Sequence, residues 1–150
     1  MILFLIAMAG MDAAGPQYPG EILAGLSGSC FNGPLPNGGS DIHCFTAAPN
    51  GRLALEVQTD SNPSGKITYQ GVTVYITTRE GKVNATYSPS LGDIIPGTVT
   101  RSGDELDFIL TVRGQPVPVT WKLSGDGFDR IAPNGTVHFT RTGPAGAGGL

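Results

Sequence analysis

Residues 69–87 read YQGVTVYITTREGKVNATY, two alternating runs joined by the compact turn Arg79-Glu80-Gly81-Lys82. Val72, Val74 and Ile76 project to one side and Thr73, Tyr75 and Thr77 to the other. That period of two suits a strand and not a helix. The stretch therefore reads as a β-hairpin, and Gly71, which interrupts the alternation, reads as a bulge that lets a long strand bend.

Runs of the same kind recur outward from it. Upstream, Asn50-Gly51 marks a tight turn, after which Leu53, Leu55 and Val57 alternate with Ala54, Glu56 and Gln58; residues 60–65, DSNPSG, turn the chain back. Downstream, Thr98 to Arg101 is a strand. Leu106, Phe108, Leu110 and Val112 face inward opposite Asp107, Thr111 and Arg113, with Ile109 on the outer face. Val117, Val119, Trp121 and Leu123 repeat the pattern, and Pro118, on the other parity, favours an edge or bulge because it cannot donate to a ladder. Strands follow at Phe128 to Ile131 and Thr136 to Thr142. The connections are nearly all of hairpin length. An all-β chain follows: a closed antiparallel up-and-down β-barrel of about eight to ten strands, a closure that removes exposed sheet edges.

The chain has 150 residues, a net charge of -3 and 14% charged residues, with 23 Gly and 12 Pro. One domain, residues 21–142, accounts for that length. The Gly and Pro are mixed with β-branched residues, which fits turn-rich β structure. No basic stripe exists to neutralise a phosphate backbone, so nucleic acid is not an expected partner.

The apolar run 1–9, MILFLIAMA, is too short to span a bilayer and ends in Ala7-Met8-Ala9, the small-x-small spacing of a signal peptidase site, although no Lys or Arg precedes it. It predicts export, to the periplasm or beyond, with the alternative of a buried or partner-facing strand. Residues 10–20 read as a linker, and Ile22, Leu23 and Leu26 at helical spacing predict a short turn of helix over Glu21 to Ser27 that plugs one barrel end. A Gly-rich tail, 143–150, is expected to be disordered.

Cys30 and Cys44 lie in short strand-like runs separated by Pro34 to Ser40. In an exported chain the pair predicts a disulfide; a cytosolic chain would leave two thiols side by side. Two Cys and the nearby His43 fall short of a structural zinc set, so no metal is expected.

The pieces Leu26-x-Gly28-Ser29-Cys30-Phe31-x-Gly33, His43-Cys44-Phe45, Tyr69-x-Gly71-x-Thr73-x-Tyr75, Tyr87 and Phe139-Thr140-Arg141 resemble a group of small exported proteobacterial proteins with a lipocalin-like (calycin-like) barrel. The resemblance spans Leu23 to Arg141. It departs from the group after Asn50, where a more charged strand is the pattern, and in the Pro-rich Gln115 to Pro118. It implies a fold and a compartment, and carries no catalytic motif across.

Asp41, His43 and Cys44 bring three reactive residue types together, but neighbours on a strand point to opposite faces, so His43 and Cys44 cannot pair as base and nucleophile. His138 sits late in the chain, as does the haem ligand of nitrobindin-type barrels, but its parity places it outside, and no cofactor is expected. Tyr69, Tyr75, Tyr87, Phe108, Trp121 and Phe139 either line a pocket for one small ligand or fill the barrel as core. The reading adopted is a non-enzymatic, lipocalin-like binding protein for a small apolar molecule, contacted by Tyr75, Tyr87, Phe108 and Trp121. The alternative is a structural protein with a filled core that self-associates, in part through the N-terminal apolar run.

Overall fold

The computed structural model describes residues 15–146. Ten strands follow one short helix: α1 (Pro19–Ile22), β1 (Ser29–Pro34), β2 (Ser40–Ala47), β3 (Leu53–Ser61), β4 (Ile67–Thr77), β5 (Val83–Pro89), β6 (Gly97–Ser102), β7 (Glu105–Val112), β8 (Gln115–Leu123), β9 (Gly127–Ala132) and β10 (Gly135–Pro144). Each strand pairs antiparallel with its sequence neighbours, and β10 returns to β1, closing the barrel. The expected architecture is thus present, at the upper end of the expected strand count.

Two boundaries and one bulge differ from the sequence reading. The helix spans Pro19–Ile22 rather than Glu21 to Ser27: proline's fixed φ suits a first helical position, and the Glu21 carboxylate reaches back to the Tyr18 N–H at 3.2 Å. The last strand runs on to Pro144 because Cys30 pairs with Gly143 and Ser29 with Pro144. Gly71 is not a bulge. The register shift lies between Asp60 and Ser61, opposite Tyr69 and Ile67. Gly71 instead makes room for a ring, since a Cβ there would stand 2.4 Å from the Tyr87 hydroxyl. Residues 1–9 and 147–150, with their calls of signal run and tail end, lie outside the described residues.

Alternation decides which side chains enter the barrel. On β7, Leu106 and Phe108 are buried while Ile109 is exposed, and Trp121 on β8 is buried too. Pro118 is exposed on β8 beyond the last residue that pairs with β9, Thr120, so its missing N–H leaves no gap in that ladder. On β3 and β4 the aliphatic residues lie outside. Ala54, Glu56, Thr73 and Tyr75 are buried, whereas Leu53 and Ile76, paired across the two strands, are 41% and 50% exposed.

One end of the barrel is plugged. Ile22, Leu23 and Leu26 are buried over the core that Phe31, Phe45, Val83, Val99, Leu106 and Phe128 form beneath them. Two arginines fasten the plug: Arg101 Nη1 donates to the carbonyls of Ile22 and Ala24 at 2.9 and 2.6 Å, and Arg141 Nη2 to that of Gly25 at 2.8 Å. Arginine suits this use because it offers several donors in a fixed fork. The chain leading in is held as well, with the Gln17 amide bonded to the Arg101 carbonyl at 3.1 Å.

Cys30 and Cys44 sit directly opposite each other on β1 and β2 and form a disulfide. Replacing both by serine is expected to cost about 3 kcal/mol, the chain-entropy value for a loop of about 15 residues. Urea unfolding midpoints of the double variant and of the oxidised wild type would measure it; coincident midpoints would deny the bond a stabilising role.

Candidate ligand-binding site

At the end opposite α1 the interior is not filled. A cavity of about 290 Å³ is lined by Phe108, Leu110, Val119 and Trp121 on one side and by Glu56, Gln58, Tyr75, Tyr87 and Arg130 on the other. Ile95 and Asn134, in the β5–β6 and β9–β10 connections, form its rim. All four residues expected to contact a ligand, Tyr75, Tyr87, Phe108 and Trp121, are brought to its wall. The other two rings divide differently. Phe139 stacks on Phe128 with centroids 4.7 Å apart and belongs to the packed half, and Tyr69 bonds its hydroxyl to that of Tyr87.

Behind the cavity lies a buried polar cluster that the sequence reading did not assemble. Asp41, His43 and Phe45 share a parity on β2, as do Ala54, Glu56 and Gln58 on β3, and the register sets His43 opposite Gln58 and Phe45 opposite Glu56. His43 Nδ1 bonds to Glu56 Oε1, and the Tyr75 hydroxyl donates to Glu56 Oε2 at 2.5 Å. Tyr75 has room for this because the small Ala54 is its cross-strand partner. His43 Nε2 lies 2.9 Å from Asp41 Oδ1, an ion-pair distance, but out of line for a directed hydrogen bond. Gln58 Nε2 donates to Asp41 Oδ1 at 3.1 Å, and the Tyr87 hydroxyl to Gln58 Oε1 at 3.0 Å.

The fourth charge arrives from across the barrel. Arg130, on β9, reaches Asp41 on β2 with Nη1 3.3 Å from Oδ2. It passes over the Phe139 ring, 5.0 Å from its centroid, and that ring lies flat against β1 because Gly33 has no side chain; a Cβ there would meet it at 2.8 Å.

Proximity sets the protonation states. Burial opposes a charge on His43, but the carboxylates of Asp41 and Glu56 outweigh it and raise the imidazole from 6.5 to about 9. Burial likewise opposes ionisation of Asp41, yet the close contact and charge of His43, with the charge of Arg130, hold its carboxyl below the ordinary 3.8. Tyr75 is pushed well above its ordinary value by burial and then by Glu56, so it remains a donor. The cluster thus sets His43 and Arg130 against the carboxyl groups of Asp41 and Glu56.

Of the sequence's reactive trio, Asp41 and His43 meet inside the barrel and Cys44 is separated from them, as parity requires. His43 is buried inside while Cys44 is bonded to Cys30. His138 is on the outer face with Asp129, Nδ1 to Oδ1 at 2.6 Å. Among the described residues no group of His, Cys, Asp and Glu is arranged to hold a metal ion, and no helix is long and apolar enough to cross a membrane.

No family model matches this chain, nor does any curated protein. The functional reading therefore rests on the cavity and its surroundings.

Proposed function

We propose that this protein is a non-enzymatic, lipocalin-like binding protein whose ligand is a small, mainly apolar molecule held in the unplugged half of the barrel. The observation that carries the reading is the cavity itself: about 290 Å³, open at one end and walled by Phe108, Leu110, Val119 and Trp121. At about 30 Å³ per atom it admits roughly ten non-hydrogen atoms, a small ligand by the standard of such pockets. A preformed site of this kind binds by removing apolar surface from water without first reorganising the wall. Export to the periplasm or beyond belongs to the same proposal, since a disulfide such as Cys30–Cys44 persists in an oxidising compartment.

The sole tryptophan, Trp121, is the reporter. Titrating the purified chain with a neutral apolar fluorophore of matching size, 1-naphthylamine, should quench Trp121 emission saturably at one site. Leu110→Trp, which fills the cavity, should abolish the probe's own enhancement.

A second reading, self-association, has one observation of its own. The outer face of β3 and β4 carries the cross-strand pairs Leu53–Ile76, Leu55–Val74 and Val57–Val72, a continuous aliphatic stripe. Absence of binding by apolar probes, with concentration-dependent growth in light scattering, would overturn the carrier in favour of this assembly. The N-terminal run proposed to contribute to it lies outside the described residues.

A further inference from the structure

On the polar side of the cavity the tyrosine hydroxyls and the Gln58 amide have committed their donors within the wall. Tyr75 donates to Glu56, Tyr87 to Gln58, and the Gln58 amide to Asp41 at 3.1 Å and to Asp60 at 3.2 Å. His43 Nδ1 is bonded to Glu56, and its Nε2 is held at ion-pair distance, 2.9 Å, from Asp41 Oδ1 without a directed hydrogen bond. Arg130 differs. Among the described residues its only hydrogen bond is from Nη1 to Asp41, so Nε and Nη2 keep unused donors in a side chain 28% exposed and pinned over Phe139. At the rim, Asn134 has a side-chain amide with no hydrogen bond among the described residues.

Charge narrows the ligand further. His43 and Arg130 face Asp41 and Glu56, and a third carboxyl, Asp60, joins the same network through Gln58 without lining the cavity, so the cluster has no cation to spare for an anionic ligand. A charged head group buried against that wall would stand uncompensated, whereas an uncharged acceptor would use the free donors without disturbing the balance. Resting on the binding reading above, we infer that the ligand is an apolar molecule bearing one uncharged hydrogen-bond acceptor, a carbonyl oxygen, which takes its hydrogen bond from Arg130 at the cavity mouth while its hydrocarbon body lies on Phe108, Leu110 and Trp121. The fixed guanidinium provides orientation, and the apolar wall provides most of the affinity.

Calorimetric titration of the full chain with four probes of equal length tests this: 2-nonanone, nonane, nonanoate and nonylamine. The expected result is that 2-nonanone binds about tenfold or more tighter than nonane, as a hydrogen bond to a charged donor implies, and tighter than both ionic probes. Arg130→Met should erase that advantage, so that 2-nonanone and nonane bind the variant with equal affinity. Removing Arg130 also unpairs Asp41, so a second readout uses the unaltered protein. The infrared carbonyl stretch of bound 2-nonanone should fall below its frequency in an alkane solvent. An alkane-like frequency, equal affinity for ketone and nonane, or tightest binding of either ionic probe overturns the acceptor inference while leaving the carrier in place. Failure of all four probes to bind removes the carrier reading itself.

Discussion

Replacing Glu56 by alanine should cost about 3–5 kcal/mol of folding stability, the range for breaking a buried ion pair by removing one member. Glu56 is 4% exposed and accepts from both His43 Nδ1 and the Tyr75 hydroxyl, each of which would lose its partner. Glu56→Gln keeps the volume and an acceptor but not the charge, and should cost less. The pH dependence gives an independent reading. Because the folded-state imidazole titrates at about 9 and the ordinary one at 6.5, the stability it contributes is fully present below pH 6.5 and is lost as pH rises through 9. Asp41 acts with the opposite sign: held below 3.8, it contributes above that value and loses its contribution as pH falls through its folded value. Urea unfolding between pH 6 and 10 should show wild-type stability falling across the alkaline window and a flatter profile in Glu56→Ala. A variant that keeps wild-type stability and the same slope would mean that the cluster does not hold the barrel together.

The hairpin at 69–87 was legible because a period of two, sustained on both sides of a short turn, permits one local structure. Hairpin-length connections then left few topologies besides an up-and-down sheet. Alternation gives two faces, however, and does not say which is the interior. On β7 the aliphatic set is inside, and pattern and burial agree. On β3 and β4 the aliphatic set is outside, because the inner positions Glu56, Gln58, Thr73 and Tyr75 complete a network with β2 that no single strand reveals.

The ring residues of the site could be chosen from parity alone, and the wall contains them. Its polar members could not. His43 and Glu56 are 13 positions apart, and Asp41 and Arg130 are 89. In the sequence Asp41 and His43 stand only beside Cys44, and Glu56 only as an alternate of an aliphatic run; the pairing register and the closure of β10 on β1 bring them together with Arg130. The signal present in the sequence was the run Asp41-x-His43-x-Phe45 on one parity, which places two ionisable groups on the same face as a core aromatic. Gly71 misled for a related reason. A glycine in a strand can serve a bend or a close approach, and only the position of the Tyr87 ring distinguishes them.

Phe128→Ala should be comparably destabilising, at about 3–5 kcal/mol, the usual cost of deleting a fully buried phenylalanine ring. Phe128 is wholly buried at the centre of the packed half, with ring centroids 5.4 Å from Phe31, 4.8 Å from Trp121 and 4.7 Å from Phe139. Its removal would leave a void that neighbours on four strands cannot close without losing their own contacts, since a close-packed interior relaxes only partly. Phe108→Ala is the informative comparison. Phe108 is also buried and touches Trp121, with centroids 4.6 Å apart, but it faces the cavity, so its truncation enlarges a space that already exists. It should cost about half as much, near 2 kcal/mol, because fewer neighbouring atoms lose a partner. The two variants should also separate in binding: Phe108→Ala should weaken or broaden recognition of apolar probes, while Phe128→Ala should alter it only through loss of the fold. Chemical unfolding of both proteins, followed by far-ultraviolet circular dichroism rather than by the tryptophan they each disturb, measures the difference. Equal losses would mean that the barrel is packed alike at both ends, and the division into a plugged, filled half and an open, binding half would fall.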